Sequence, residues 1–284
     1  MNYIDFLKQT TEQNKSIACM GADPVIEKIP IKSGSVEEKI SKFYSEIIDA
    51  IVSSNTPTGA IKPNYAFYGQ YGFEGLRALQ NVCEKVRSEN IPLILDAKRA
   101  DIGSTSEAYA KEVFDFWKVD AVTVAPYMGE DSVSPFIKWC EEKGKGVYIL
   151  NRTSNKGAVD LQNLKVEGKH LFLKVSEKIL EWGRNAKGNL GAVVGATSPA
   201  EFEELTQFFS GSKNHVPFLI PGVGKQGGSA PEIVGILRKN NSNLAMHRIN
   251  SSREINYAFE KTNSPDFADA AVKALQELNK EINF

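Results

Sequence analysis

Ile91-Pro92-Leu93-Ile94-Leu95-Asp96-Ala97-Lys98-Arg99-Ala100-Asp101-Ile102 is an apolar run that breaks off abruptly into charge. A run this short reads as a strand buried on both faces, as in a parallel sheet. The same pattern recurs along the chain, at 16–23, 59–64, 91–98, 121–126, 146–153, 190–197, 217–224 and 244–252. Most of these runs end in polar or glycine-containing turns. Amphipathic segments lie between them. In 35–53, Val36, Ile40, Phe43, Tyr44, Ile47 and Ile51 fall near helical spacing. Segment 105–117 opens on a capping Thr, 198–209 opens Ser-Pro, and 265–279 closes the series.

Strand and helix thus alternate about eight times, which favours a parallel sheet covered by helices. Eight such units in about 250 residues point to an α/β fold of the (β/α)8 or TIM-barrel type. One domain over 1–284 is expected, with residues 1–15 capping the barrel bottom. An open doubly wound sheet is the structural alternative.

Composition narrows the function. The 34 Lys+Arg and 35 Asp+Glu of the 284 residues give a formal net charge of −1, too even for nucleic-acid binding by bulk charge. Cys19, Cys83 and Cys140 lie far apart, so neither a disulfide framework nor a Cys-rich metal site is expected. No apolar run approaches the roughly 18 residues of a membrane span. The start Met1-Asn2-Tyr3-Ile4-Asp5 lacks the basic and apolar regions of a secretory signal. A cytoplasmic enzyme or binding protein is expected.

A barrel of this kind places its chemistry at the carboxyl ends of the strands. Those ends are charged here: Gly21-Ala22-Asp23-Pro24, Ile61-Lys62-Pro63-Asn64, the Asp96-to-Asp101 stretch, and Asn151-Arg152-Thr153-Ser154-Asn155. Asp96 and Lys98 are two apart and point the same way on a strand. Lys62, on the neighbouring strand, can lie beside them, and Asp101 follows after the turn. Acidic neighbours favour a charged lysine, while burial opposes it. Such an array suits proton delivery or stabilisation of developing negative charge. A structural salt-bridge network is the plainer reading of any one of these residues.

Pro221-Gly222-Val223-Gly224-Lys225-Gln226-Gly227-Gly228 follows the seventh run, and Ser251-Ser252-Arg253 follows the eighth. Glycines let backbone N–H groups converge on an anion, and barrels often hold phosphate at these two loops. His170, His215 and His247 are scattered, outside any metal or nucleophile motif, and read as surface or structural. No spacing supports a metal at Asp23 and Asp96. Phe114, Phe116 and Trp117 read as core.

The stretch Asp96-Ala97-Lys98-Arg99-Ala100-Asp101-Ile102-Gly103-Ser104-Thr105 resembles the signature of the orotidine 5′-phosphate decarboxylases. Its Asp-x-Lys-x-x-Asp-Ile core also occurs in related phosphosugar enzymes. Further likenesses narrow the choice: the first-strand Asp23 motif, Lys62, the turn Thr153-Ser154-Asn155, Val193 to Thr197, and the loop Pro221 to Gly228 with Arg253. The likeness runs from Ser16 to Tyr257, and the Thr-Ser-Asn turn resembles the longer bacterial subgroup.

The resemblance implies loss of CO₂ from orotidine 5′-phosphate to give UMP, the last step of pyrimidine synthesis, without metal or organic cofactor. It implies that Lys98 protonates C6, with Asp96, Lys62 and Asp101 as its catalytic partners. It further implies that Asp23 binds ribose, Ser154 contacts the pyrimidine, and Gln226 and Arg253 bind phosphate. A homodimer with shared sites is implied, in which Asp101 and Thr105 reach into the partner's site; no nucleic-acid or membrane partner is implied. Lys156 stands where many relatives carry proline, a departure expected either to loosen the pyrimidine turn or to add a cation near it. Segment 160–169 carries no motif and is read as an insertion or lid.

Overall fold

The computed structural model describes residues 1–212, 215–224, 227–262 and 264–284. Eight parallel strands form one sheet: β1 (Ala18–Ala22), β2 (Ala60–Pro63), β3 (Ile94–Arg99), β4 (Ala121–Val124), β5 (Gly146–Arg152), β6 (Leu190–Val194), β7 (Phe218–Ile220) and β8 (Arg248–Ser251). Their spatial order is β2-β1-β8-β7-β6-β5-β4-β3. Parallel bridges Ile61↔Leu93 and Asn64↔Asp96 join β2 to β3 and close the ring. This is the (β/α)8 barrel, and the open sheet is excluded.

Alternation along the strands sorts the apolar residues into two cores. Ala18 and Met20 face outward, into the annulus beneath the helices, with Val147 and Ile149. Cys19, Ala60, Ile94, Ala121, Tyr148 and Val193 face inward and fill the lumen. Helix α1 (Tyr3–Asn14) supplies Tyr3, Ile4 and Leu7 to that inner cluster. The Tyr3 and Tyr148 hydroxyls lie 3.0 Å apart, and Ile4 N donates to Asn189 Oδ1 at 3.0 Å. The opening helix therefore packs against the inner row of the strands at the barrel bottom.

Helix α2 (Val36–Ser53) shows why the amphipathic segments fold where they do. Ser35 and Glu38 form a reciprocal capping box, and Ile40, Phe43, Tyr44, Ile47, Ile48 and Ile51 are buried.

Two local expectations differ from what is found. Leu244–Met246 is a 3₁₀ turn, and the last strand begins only at Arg248. The apolar content there reflects Met246 sealing the lumen from below. The helix read over 105–117 runs from Gly103 to Lys111 and then widens into a π turn over Glu112–Phe116. Phe114 and Trp117 are buried as expected, but Phe116 is 62% exposed. The wider turn shifts the residues after it around the axis, which carries Phe116 off the buried face.

Candidate active site

The inward row of each strand continues upward into the site. Above Cys19 in β1 come Gly21 and Asp23; above Ala60 in β2 come Lys62 and Asn64; above Ile94 in β3 come Asp96 and Lys98. Apolar below and polar above, these rows end in a cavity of 940 Å³ at the carboxyl ends of the strands. Leu150, Val193 and Leu219 contribute its apolar lining.

Asp96 is the hub. Its Oδ2 accepts from Lys62 Nζ at 3.0 Å and from Asn64 Nδ2 at 3.3 Å. Its Oδ1 accepts from Lys98 Nζ at 2.7 Å and from Thr123 Oγ1 at 2.9 Å. Burial pushes the Asp96 carboxyl up, but Lys62 and Lys98 outweigh it and hold the group well below the usual carboxylate range. For Lys62, burial pulls the ammonium down, and Asp96 and Asp23 together raise it above the ordinary lysine value. The row therefore stands as cation, anion, cation. Side-chain exposure rises along it, from 4% at Lys62 and 11% at Asp96 to 48% at Lys98. Lys98 is the member that faces the open cavity.

The backbone contributes to this aim. The pairing of β3 with β4 shifts register between Leu95 and Arg99, and Lys98 itself has φ 46°. A left-handed lysine is uncommon and costs about 1 kcal/mol or more. It is held by Lys98 N donating to Thr123 Oγ1 at 3.0 Å, the same hydroxyl that bonds Asp96. The next residue anchors the strand from outside: the Arg99 guanidinium lies between the Tyr65 and Tyr109 rings and bonds both carboxylate oxygens of Glu112.

Asp23 stands on the exit of β1, the strand paired with β2, next to Lys62. Burial raises its carboxyl, against the pull of Lys62 and a hydrogen bond with Ser252. Its Oδ1 and Asn250 Oδ1, both buried and both on residues lining the cavity, have no hydrogen-bond partner among the described residues. Unfilled acceptors of this kind suit a hydroxylated ligand.

Ser154 and Arg253 also line the cavity. Ser154 is held by a close approach to β6: a Cβ on Gly195 would lie 2.8 Å from Ser154 N and Cα, so only glycine fits. Arg253 is exposed at the start of a short helix. In the glycine loop, Gly222, Gly224 and Gly227 take positive φ. The N–H groups of Gly224, Gly227 and Gly228 donate to carbonyls within the loop itself, so these three do not converge on an anion. Gln226 lies outside the described residues.

Two expected residues are not brought into this cavity. Asp101 Oδ1 accepts from Ile102 N at 2.8 Å, and Thr105 is exposed; neither is among the lining residues. Lys156 opens an exposed 3₁₀ turn and does not line the cavity. Conversely, Asn64, Thr123, Asn250 and Gln162 belong to the cavity wall and were not singled out from the sequence. Asn64 sits in the quoted strand-end motif and was legible there. Thr123 and Gln162 carried no local signal. Among the described residues no group of three or more His, Cys, Asp or Glu is placed to hold a metal ion, and no helix is long and apolar enough to cross a membrane.

A closed barrel with an ammonium–carboxylate–ammonium row at its mouth, unfilled acceptors on the strands next to it and an exposed arginine defines an enzyme of the (β/α)8 class acting on a small anionic molecule. The chain belongs to the orotidine 5′-phosphate decarboxylase / HUMPS family, whose sequence profile matches residues 38–264. It is 41% identical over 286 residues to the orotidine 5′-phosphate decarboxylase of Dechloromonas aromatica, covering 100% of this chain and 99% of the relative. It is 40% identical over 286 residues to that of Cupriavidus metallidurans, covering 100% and 98%. Among solved structures, the OMP decarboxylase of Leishmania donovani superposes with a TM-score of 0.79 at 31% identity, covering 100% of both chains. The UMP synthase of the same organism matches with a TM-score of 0.80 at 33% identity, over 99% of this chain and 57% of that one.

Proposed function

We propose that residues 1–284 act as one catalytic unit that converts orotidine 5′-phosphate to UMP and CO₂, the closing step of pyrimidine synthesis, in the cytoplasm. The observation that carries the mechanism is the Lys62–Asp96–Lys98 row, with its ionised centre buried and its last cation open to the cavity.

The C6–carboxylate bond breaks and leaves its electron pair on C6, a carbanion without an ordinary electron sink. The barrier must fall by an amount near the upper end of enzymic values, on the order of 20 kcal/mol. Lys98 stabilises that charge as it forms and then gives C6 a proton. Asp96 is held ionised against the substrate carboxylate; the repulsion is relieved as CO₂ departs. Lys62 fixes Asp96 and the ribose. Asp23 Oδ1 accepts from a ribose hydroxyl, Ser154 meets the pyrimidine edge, and Arg253 and Gln226 take the phosphate. Phosphate binding remote from C6 supplies energy for orienting the base.

The active form is a homodimer, in which Asp101 and Thr105 of each chain complete the other chain's site. In support, Asp101 lies outside its own cavity beside Ile102, which is 51% exposed; Tyr127, on the exit of the adjacent β4, is 86% exposed. Exposed apolar side chains around a displaced carboxylate suit a pairing surface.

The test follows the loss of the orotate chromophore when purified protein meets orotidine 5′-phosphate with chelator present. Conversion to UMP is expected. No conversion by folded, dimeric protein would overturn the assignment and favour a phosphosugar substrate.

A further inference from the structure

The segment after β5, unreadable in the sequence, is tied into the site through one side chain. Gln162 Oε1 accepts from Thr153 N at 2.9 Å, and Gln162 Nε2 donates to Thr153 Oγ1 at 2.8 Å. Both ends of the amide are thus engaged by a single residue, which fixes its orientation. With its oxygen already accepting from Gln162, the Thr153 hydroxyl directs its proton to Asn155 Oδ1, 2.6 Å away. The bonds run in one direction, and Asn155 keeps its NH₂ group as a donor.

Gln162 is itself anchored. Its N–H donates to Ala158 O at 2.8 Å, and its carbonyl accepts from the amide of Phe172, a fully buried residue, at 3.1 Å. The neighbouring Asn163 bonds Glu201 at 2.5 Å, and Glu201 pairs with Arg152, the residue before Thr153. The turn 152–155 is therefore clamped on both sides by the segment that follows it, and Gln162 lines the cavity beside Ser154 and Asn155.

We propose that Gln162 is a positioning residue for base recognition, an inference that rests on the substrate reading above. By polarising Thr153 and orienting Asn155, it holds the turn Thr153-Ser154-Asn155 in the one arrangement of donors and acceptors that meets a pyrimidine edge. Segment 156–170 is on this account a brace for the base site.

Gln162→Glu keeps an acceptor for Thr153 N–H but cannot donate to Thr153 Oγ1. The hydroxyl then turns to the new carboxylate and abandons Asn155. Gln162→Leu removes both bonds at similar size. For both variants we expect the KM for orotidine 5′-phosphate and the Kd for UMP to rise at least about tenfold. The Kd for ribose 5-phosphate, which has the sugar and phosphate but no base, should stay within about twofold of wild type in both. A merely structural defect weakens UMP and ribose 5-phosphate together; that parallel loss, or unchanged UMP binding by Gln162→Glu, overturns the proposal. Failure of the wild-type protein itself to bind UMP overturns the substrate reading and this proposal with it.

Discussion

At the mouth of the barrel Lys62 is buried against carboxylates; at the bottom Arg248 is buried against carbonyls. Lys62 lies beside Asp96, in a row that opens into the cavity. Arg248, fully buried, donates to Gly59 O at 2.9 Å, Ala245 O at 3.1 Å, His247 O at 2.7 Å and Leu7 O at 2.8 Å. Burial draws its guanidinium below the ordinary value, against the opposing pull of Tyr3 and Tyr148. The bottom cation ties the opening helix, the entry to β2 and the entry to β8 together through main-chain carbonyls. The mouth cation holds an anion in place and leaves the next cation facing solvent. Burial of a charge is common to both ends, but only the mouth presents its field to a ligand. This is the division between the stabilising and catalytic faces expected of such a barrel.

The largest effect should come from the exposed end of the mouth row. Lys98→Ala is expected to cut turnover of orotidine 5′-phosphate by at least about 10⁴-fold, roughly 5.5 kcal/mol in barrier. The fold should survive, because Asp96 keeps Lys62, Asn64 and Thr123 as partners. Chromophore-loss kinetics beside a thermal melt check both halves. Substantial residual turnover would remove Lys98 from its role; a collapsed melt would make the mouth as structural as the bottom.

Arg248→Met tests the other end and inverts the pattern. It takes one donor from each of four carbonyl oxygens in a closed space, of which Leu7 O and Ala245 O keep the Thr11 hydroxyl, and a loss of about 2–3 kcal/mol in stability is expected. The kcat of the protein that remains folded should match wild type, since no Arg248 atom reaches the cavity. Urea unfolding measures the first and active-site-titrated kinetics the second. A large fall in kcat at unchanged stability would break the division between the two ends.

The same contrast explains what could be read from the sequence. The mouth was legible because its chemistry obeys local rules. A strand of period two placed Asp96 and Lys98 on one face, and charges where apolar runs stop marked Lys62, Asp96 and Lys98. The bottom was not, because Arg248 takes its partners from Leu7 and Gly59, far away in the chain. Apolar content alone also read Leu244–Met246 as strand, although those residues turn under the barrel. Thr123 was hidden for a related reason: inside an apolar run, nothing local shows that its hydroxyl serves both Asp96 and Lys98. Gln162 lies in a segment with no periodicity, and its meaning appears only when the chain folds it back on Thr153.

A smaller effect separates the two ends by pH. His247, beside Arg248, is fully buried: its Nδ1 accepts from Phe218 N at 3.0 Å, and its Nε2 lies 2.8 Å from Ser242 Oγ. Because Nδ1 accepts, the ring is neutral, with its proton on Nε2. Burial, and then the charge of Arg248, lower its pKa to about 3. In the unfolded chain it titrates near 6.5. A depressed folded value means the stabilising contribution is complete above about 6.5 and is lost as pH falls from there toward 3, where the native ring finally takes up a proton. Between pH 7 and pH 5 this one group should cost the wild-type protein about 2 kcal/mol. At the mouth, Asp96 is depressed as a carboxylate and contributes its loss only below about pH 4. Asp23, raised by burial, acts in the opposite direction, since the native state binds its proton more readily than the unfolded chain. The two ends therefore part company above pH 5. His247→Asn removes the imidazole, so it should start less stable at pH 7 and lose less on acidification. The stability difference between wild type and variant, measured by urea unfolding at pH 7, 6 and 5, should shrink by about 2 kcal/mol. A difference that stays flat would move the acid-sensitive group away from the bottom of the barrel.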